Sequence, residues 1–146
     1  MRTAAQRRVD SVRRLENDAS IWIATASAIG IPHLIPLSLA WDGEHLLLAT
    51  PTNSPTVRNA TDTGAVKATL DSAEDVVLID GTAEVSDFGA ADAGHLGTYV
   101  QRVGWNPADQ DGEWSLLVVR PRTVRAWNSV AEGTGRTIMK EGDWLE

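Results

Sequence analysis

The connections between the apolar segments constrain the fold of this chain most, because three of them are too short to contain a crossover helix. They are the turn at residues 28–32, the Asp42-Gly43 pair and the stretch at residues 71–75. Parallel strand pairs need a connection of about a dozen residues or more, so strands joined this way pair antiparallel. The segments themselves are typical of strands, since Ile21–Ala26 is β-branched and aromatic and Val66–Leu70 alternates apolar with polar residues. The sequence therefore predicts a mainly β (α+β) chain with an antiparallel barrel or sandwich and peripheral helices.

The predicted elements run along the chain as one domain, residues 1–146, without a linker or an internal repeat. Its parts are an N-terminal helix within 1–18, strands and a loop in 20–86, a helix in 87–104 and C-terminal strands in 113–146. Gly30 and Asp42-Gly43 indicate hairpins, Gly64 a helix C-cap and Gly81 a bulge. We expect strands at 21–26, 33–41, 44–50, 66–70, 76–85, 114–120 and 123–127, helices at 4–17 and 88–103, and a terminal hairpin at 138–144.

Composition excludes several classes of protein. With 13 Lys and Arg against 20 Asp and Glu, the formal net charge of −7 disfavours binding to nucleic acid. The chain has no Cys and no long apolar run, so we expect a cytoplasmic protein without disulfides or a membrane span. Five arginines lie within the first 14 residues. They indicate either a solvated helix face or an arm that meets an anionic ligand or a partner's acidic surface.

Side-chain chemistry gives little sign of a catalytic centre. His33, His45 and His95 form no HExxH motif and no i,i+4 pair, and we expect no carboxylate cluster around them and no metal site. The sequence also lacks a GxSxG elbow, a GxGxxG turn and a P-loop. Catalytic residues stay unknown at this stage, and ordinary dinucleotide folds and phosphoryl transfer are disfavoured.

The stretch TPTNSPTVRN, residues 50–59, has the chemistry of a strand that runs into an anion-binding helix start. Ser54 is suited to the N-cap and Pro55 to the first helical position, and Arg58 follows in the first turn. The alternative is an ordinary capped surface helix with a solvated Arg58. Pro36 cannot donate to a strand ladder, so its strand is either interrupted or at an edge. A flat ring could approach the backbone there, or the proline could mark a bulge.

The segment from Ala24 to Leu70, followed by VVLIDGTAEV, resembles the pyridoxamine 5′-phosphate oxidase-like family, the FMN-binding split β-barrels, including their branch that uses the deazaflavin coenzyme F420. The resemblance rests on the order of four features: a G-x-P hairpin, an apolar D-G hairpin, a loop that ends in a short R-N helix, and a G-T strand. It implies a six-stranded split barrel, and a homodimer with two cofactor sites at the subunit interface. It also implies an oxidoreductase that acts on a small-molecule substrate.

The resemblance assigns roles to named positions of this chain. The cofactor phosphate is expected at Ser54, Thr56, Arg58 and Asn59, and the ribityl chain beside Thr50 and Asn53. The ring is expected along Leu34, Ile35, Pro36 and Leu37, with Trp127 from the partner chain closing its pocket. Many members carry Lys two residues before the helix Arg, where this chain has Thr56. FMN and F420 are therefore both open, with FMN preferred. True pyridoxamine phosphate oxidase activity is disfavoured. The alternative is a non-enzymatic protein that binds or sequesters a flavin, F420 or haem.

Overall fold

The computed structural model describes residues 1–145, which form three helices and one antiparallel sheet of nine strands. The helices are α1 (Ala4–Asn17), α2 (Pro55–Thr63) and α3 (Ala93–Val103). The strands are β1 (Ser20–Ala26), β2 (Pro32–Ser38), β3 (Ala40–Trp41), β4 (Leu46–Pro51), β5 (Ala65–Thr69), β6 (Val76–Asp87), β7 (Trp114–Trp127), β8 (Thr137–Lys140) and β9 (Asp143–Trp144). No helix within this part of the chain is both long enough and apolar enough to span a membrane.

The sheet curls into a split barrel. Its strand order is β2-β1-β5-β6-β7-β4-β3, with the β8–β9 hairpin attached to β7. β2 and β4 also contact each other, although they share no ladder, so the two ends of the sheet meet at an unpaired seam. The six longer strands form the barrel, while β3 extends the edge beside β4. This confirms the predicted antiparallel split barrel with peripheral helices.

Apolar side chains fill two layers. The barrel interior holds one cluster, which includes Ile23, Leu48 and Ile79. The second cluster lies on the opposite face of β4 and β7, where Leu47 and Leu116 pack with side chains of the α3 region. Alternation along a strand explains this division, because successive residues point to opposite faces. β4 is buried on both faces for this reason.

The strand predicted at residues 33–41 is two strands, and it breaks at Leu39 rather than at Pro36. β2 pairs only with β1, and β3 pairs with β4 at the other end of the sheet. Leu39 marks the crossing, where its N–H donates to the carbonyl of Ala19 at 3.0 Å. Pro36 stays within β2 because β2 is an edge strand, which confirms one of its two expected settings. The hairpin predicted with two residues at Asp42-Gly43 has a four-residue loop, 42–45, since Trp41 pairs with Leu46.

Pro121 does not divide the last long strand, contrary to the sequence prediction. β7 continues through it because the register with β6 shifts between Asp80 and Gly81, and Pro121 lies opposite Gly81. The backbones approach closely at this bulge: a Cβ on Gly81 would lie 2.8 Å from the Arg120 carbonyl oxygen. Position 81 therefore has no room for a side chain, and the register shift there agrees with the bulge predicted at Gly81.

The helix predicted at 88–103 begins later than expected. Phe88–Ala90 is a 3₁₀ turn, and α3 starts after Asp92, whose side chain accepts from the His95 N–H. The N-terminal helix, the Gly64 C-cap and the terminal hairpin agree with the sequence predictions.

Of the five N-terminal arginines, Arg2, Arg7 and Arg14 contact other parts of the fold, whereas Arg8 and Arg13 are exposed on α1. Arg7 is buried and donates to the carbonyls of Ala126 and Gly135. The guanidinium of Arg2 donates two hydrogen bonds to the buried Glu132, at 3.1 and 2.9 Å, and the Arg2 backbone N–H donates a third at 2.9 Å. The guanidinium of Arg2 lowers the pKa of Glu132 to about 2, against the opposing effect of burial. These contacts fix α1 to the segment that follows β7.

Candidate functional site

The start of α2 has the predicted capping chemistry. Ser54 adopts an extended backbone, and its side chain accepts from the Val57 N–H at 3.3 Å. Pro55 is the first helical residue, and Gly64 ends the helix in the left-handed region at φ 69°. Pro55 has no N–H, and the Val57 N–H already donates to Ser54. Among residues 55–57, the Thr56 N–H therefore remains available to a ligand.

The buried face of α2 is unexpectedly polar. Thr56 and Asn59 both lie on it, and Asn59 Nδ2 donates to Thr25 Oγ1 of β1 at 3.2 Å. Thr50, at the end of β4, is buried as well. We call Thr25, Thr50, Thr56 and Asn59 the polar layer. It covers the end of the barrel interior beneath α2, so the side chains of Thr50, Thr56 and Asn59 point inward rather than to the surface.

Thr56 Oγ1 has no hydrogen-bond partner within residues 1–145, although the side chain is fully buried. Such a hydroxyl costs about 1–3 kcal/mol of unmet hydrogen bonding. In this arrangement the hydroxyl is closed to an external ligand. An anion at the helix start would reach the backbone N–H of Thr56 instead.

Three predicted residues remain at the surface near the helix start. Asn53 and Arg58 are exposed and Ser54 is half-buried. No salt bridge to Arg58 forms within the described residues, so its guanidinium is available. Helix N–H groups together with an arginine form a favourable site for an anion.

Asn53 also borders a concavity of about 460 Å³ between the start of α2 and the loop before β7. Asp111 and Glu113 line its other side. Two carboxylates repel an anion, so an anionic group is better placed on the Arg58 side of the helix start than in this concavity.

The predicted ring segment on β2 divides between two faces. Register pairs Ile35 with the buried Ile23, so Ile35 and Leu37 face the barrel interior. Leu34 and Pro36 face outward, and Leu34 is 60% exposed. Only these two side chains, together with the open edge of the strand, can meet a ligand from outside.

The outer face beside Leu34 and Pro36 carries an indole. Trp22 lies directly opposite Pro36 on β1, and Ala24 lies opposite Leu34. Trp22 is half-buried, and its Nε1 donates to Asp71 Oδ1 at 3.4 Å. We call Trp22, Ala24, Leu34 and Pro36 the outer patch. Its apolar surface and its indole suit a planar ring.

The outer patch and the helix start lie at the same end of the barrel. His33, which precedes Leu34, is the cross-strand neighbour of Thr25, and Thr25 is hydrogen-bonded to α2 through Asn59. His33 Nε2 is buried without a partner in the part of the chain that the structure describes. Sequence reasoning missed both Thr25 and His33, because their positions depend on the packing of α2 against β1 and on the β1–β2 register.

Trp127 shares the outer face but lies on a strand that does not pair with those of the patch. It pairs with Val76 across β6 and β7, and the Arg136 guanidinium stacks on its ring at 4.2 Å. β7 is four strands away from β2 along the hydrogen-bonded path of the sheet. Trp127 is therefore not a cross-strand neighbour of Leu34 or Pro36 within one chain.

The sequence analysis expected no carboxylate cluster around the histidines, but two of the three lie close to a carboxylate. His45 and His95 both approach Asp42, which lies in the loop between β3 and β4. Asp42 and His45 are only three residues apart, but His95 joins them across 50 residues of sequence, which no local motif indicates.

Similarity to known proteins agrees with this fold. The family described as pyridoxamine 5′-phosphate oxidase matches residues 10–128 of the sequence. Among curated protein sequences there is no significant match.

Among the solved structures with a similar fold, three illustrate the range. A haem-binding protein from Mycobacterium smegmatis superposes with a TM-score of 0.70 at 19% identity, over 97% of this chain and 59% of that one. A pyridoxamine 5′-phosphate oxidase candidate from Listeria innocua gives 0.68 at 16% identity, over 83% and 98%. An F420 reductase gives 0.61 at 24% identity, over 77% and 93%. The family match covers most of the chain, and the similar structures share its split-barrel fold. This chain therefore belongs to the pyridoxamine 5′-phosphate oxidase family.

Proposed function

We propose that this protein is an oxidoreductase that binds FMN, with coenzyme F420 as the alternative, and moves a hydride between the cofactor ring and a small organic substrate. The observation that carries the proposal is the juxtaposition of an anion site and a ring surface. The capped start of α2, whose Arg58 has no salt bridge within residues 1–145, lies at the same end of the barrel as the outer patch on β1 and β2.

The donors at the helix start fit a phosphate. Arg58 supplies a guanidinium that can form two parallel hydrogen bonds, and the Thr56 N–H and Ser54 hydroxyl complete the set. Asn53 lies beside them at the surface, where it suits the ribityl chain. Asn59 and the hydroxyls of Thr50 and Thr56 belong to the polar layer, so we assign them the positioning of α2 rather than direct contact with the phosphate.

Leu34 and Pro36 offer the ring an apolar surface at an edge strand. An edge strand also presents unpaired backbone groups, which can hydrogen-bond the polar rim of a flavin-type ring. The cofactor would supply the hydride chemistry, and the protein would orient the ring and exclude water from it. Ile35 and Leu37 pack inward, and we infer that they hold β2 in place.

A second copy of the chain would complete the pocket. Leu34 is 60% exposed in one copy, and this chain's own Trp127 lies on β7, which is not paired with β1 or β2. We therefore propose a homodimer in which Trp127 of a second copy covers the ring. Its stacking on Arg136 leaves one ring face for such a contact.

The charge of the protein favours FMN over F420. The net charge of −7 opposes the acidic tail of F420. The N-terminal arginines cannot offset it fully, since Arg2, Arg7 and Arg14 are engaged with other parts of the chain.

The decisive experiment is reconstitution of the purified protein with FMN, F420 or haem in separate samples, followed by gel filtration and absorption spectroscopy. We expect FMN to co-elute at one equivalent per chain. Photoreduced FMN on the protein should then be reoxidised by an electron-accepting substrate faster than free reduced FMN. If neither FMN nor F420 binds, or if the bound cofactor is no more reactive than free cofactor towards a panel of acceptors, the proposal is wrong.

A haem-binding role is the second candidate. The similarity in fold to a haem-binding protein, over 97% of this chain, favours it. A Soret band that appears at one haem per chain, together with failure to retain FMN, would select this function over the first.

A further inference from the structure

Three potential metal ligands meet between the loop of residues 42–45 and the first turn of α3. His45 Nδ1 lies 2.9 Å from Asp42 Oδ2, and His95 Nε2 lies 3.5 Å from the same oxygen. One ligand atom from each residue lies within 4.8 Å of the others. The side chains are largely shielded, with exposed fractions of 16% for Asp42, 12% for His45 and 27% for His95.

From this geometry we propose that Asp42, His45 and His95 form a binding site for a divalent transition metal ion of the Zn²⁺ type. A tetrahedral ion with bonds of about 2.0–2.1 Å holds its ligand atoms about 3.3 Å apart. The two distances to Asp42 Oδ2 lie on either side of this value. Small side-chain rotations therefore suffice to bring all three atoms into the coordination sphere.

Neighbouring groups orient these ligands. Asp42 Oδ1 accepts from the N–H groups of Glu44 and His45, at 2.8 and 2.6 Å, which turns Oδ2 towards the two imidazoles. His95 Nδ1 lies 3.9 Å from Asp92 Oδ1, so a carboxylate stands near the ring nitrogen opposite the metal-facing one. Hydrogen-bonded ligands of this kind are typical of metal sites.

The donor set selects the class of ion. Two imidazoles and one carboxylate suit Zn²⁺, Co²⁺, Ni²⁺ or Cu²⁺, whereas Ca²⁺ and Mg²⁺ prefer oxygen ligands. Three protein ligands leave at least one position for water or a small anion. The bound ion would connect the β3–β4 loop to α3, which belong to different parts of the sequence.

The site is independent of the proposed cofactor site. It lies beyond the Leu46 end of β4, while α2 begins beyond the Pro51 end, and the strand between them is about 17 Å long. Loss of one function therefore need not affect the other.

The test uses the full chain without a histidine tag, titrated with Zn²⁺ by calorimetry and with Co²⁺ by visible absorption. We expect one ion per chain, a Co²⁺ spectrum of low coordination number and a higher melting temperature with Zn²⁺. Asp42→Asn and His95→Gln should each weaken Zn²⁺ binding at least tenfold. The matched control is His33→Gln, which removes the remaining histidine and should leave Zn²⁺ affinity unchanged.

Circular dichroism and metal-free melting curves establish that each variant is folded. His45→Gln provides a third variant if either of the others is not. The proposal is overturned if wild type binds no Zn²⁺ at millimolar concentration, or if the folded variants bind as tightly as wild type. If His33→Gln lost as much Zn²⁺ affinity as the Asp42 and His95 variants, the proposal would also be overturned, because the three named residues would not account for binding.

Discussion

Replacement of Arg58 by Ala tests the proposed phosphate site directly. Arg58 is the charged side chain among the proposed phosphate donors, it is exposed, and it forms no salt bridge within the described residues. A hydrogen bond to a charged group contributes about 1.5–3 kcal/mol. Arg58→Ala should therefore weaken FMN binding about 10- to 150-fold. The lower end is expected at physiological salt, because an exposed guanidinium is partly screened.

The fold should tolerate this change. The side chain lies on the exposed side of α2, and Ala is the best helix former, so the free energy of unfolding should change by less than about 0.5 kcal/mol. A change confined to affinity would separate a binding role from a structural one. Urea denaturation of wild type and variant gives this comparison.

Two controls isolate the phosphate. Riboflavin has the same ring and ribityl chain as FMN but no phosphate, so the penalty should nearly disappear when it is the ligand. Arg102→Ala removes another exposed arginine, on α3, and changes the net charge by the same amount. It should leave FMN affinity close to that of wild type. An equal loss for FMN and riboflavin would show that Arg58 does not contact the phosphate, and an equal loss in Arg102→Ala would indicate a general charge effect.

Three further predictions concern assembly and stability. Leu34→Asp should convert the proposed dimer to monomers in sedimentation at micromolar concentration. Val130→Asp, at a site that is 99% exposed, should leave the dimer intact. A monomeric wild type would contradict the shared site. Glu132→Gln should lower the free energy of unfolding by about 1–3 kcal/mol above pH 5. Because the arginine partner holds the Glu132 pKa at about 2 instead of 4.5, this stabilisation is lost as pH falls from 4.5 towards 2, and the variant's stability should vary less over that range. A parallel pH dependence in the two proteins would count against this ion pair. Gly81→Ala should lower the free energy of unfolding by about 1–3 kcal/mol, because the new Cβ would lie 2.8 Å from a backbone oxygen. Gly89→Ala is the control, since a Cβ there meets no atom within 4 Å. Equal urea midpoints for the two variants would refute the close approach.

Local chemistry made the helix caps and turns predictable. α2 begins at Ser54-Pro55 and ends at Gly64, as the sequence predicted. Gly30 adopts the positive φ that its hairpin requires. In each case the constraint is satisfied within a few residues. Such features depend little on the rest of the fold.

Long-range geometry explains what the sequence analysis missed. Nothing near Leu39 indicates that the chain leaves one edge of the sheet and joins the other, because a barrel seam depends on all the strands. Pro121 was predicted as a break, and only its position opposite the Gly81 bulge allows β7 to continue. The cluster of Asp42, His45 and His95 likewise depends on α3 packing beside β3.

The inward direction of Thr56 and Asn59 could have been inferred from helical periodicity. Positions 56, 57 and 60 follow the i, i+1, i+4 spacing of one helix face, and Val57 and Ala60 are apolar residues that must be buried. Position 59 lies on the same side, three residues after 56. Arg58 lies on the other side, which is where an external anion would meet it.

The polar layer links the fold to the proposed site. Asn59 fixes α2 to β1 through its hydrogen bond with Thr25, and Thr25 is the cross-strand neighbour of His33, the residue before Leu34. One buried hydrogen bond therefore helps to set the position of α2 relative to the strands that carry the proposed ring surface. A purely apolar contact at this place would hold α2 with similar strength but with less defined orientation, because dispersion forces are not directional. The distance between an anion site and a ring surface must match one ligand, so a directional contact beneath the helix serves binding even though it never touches the ligand.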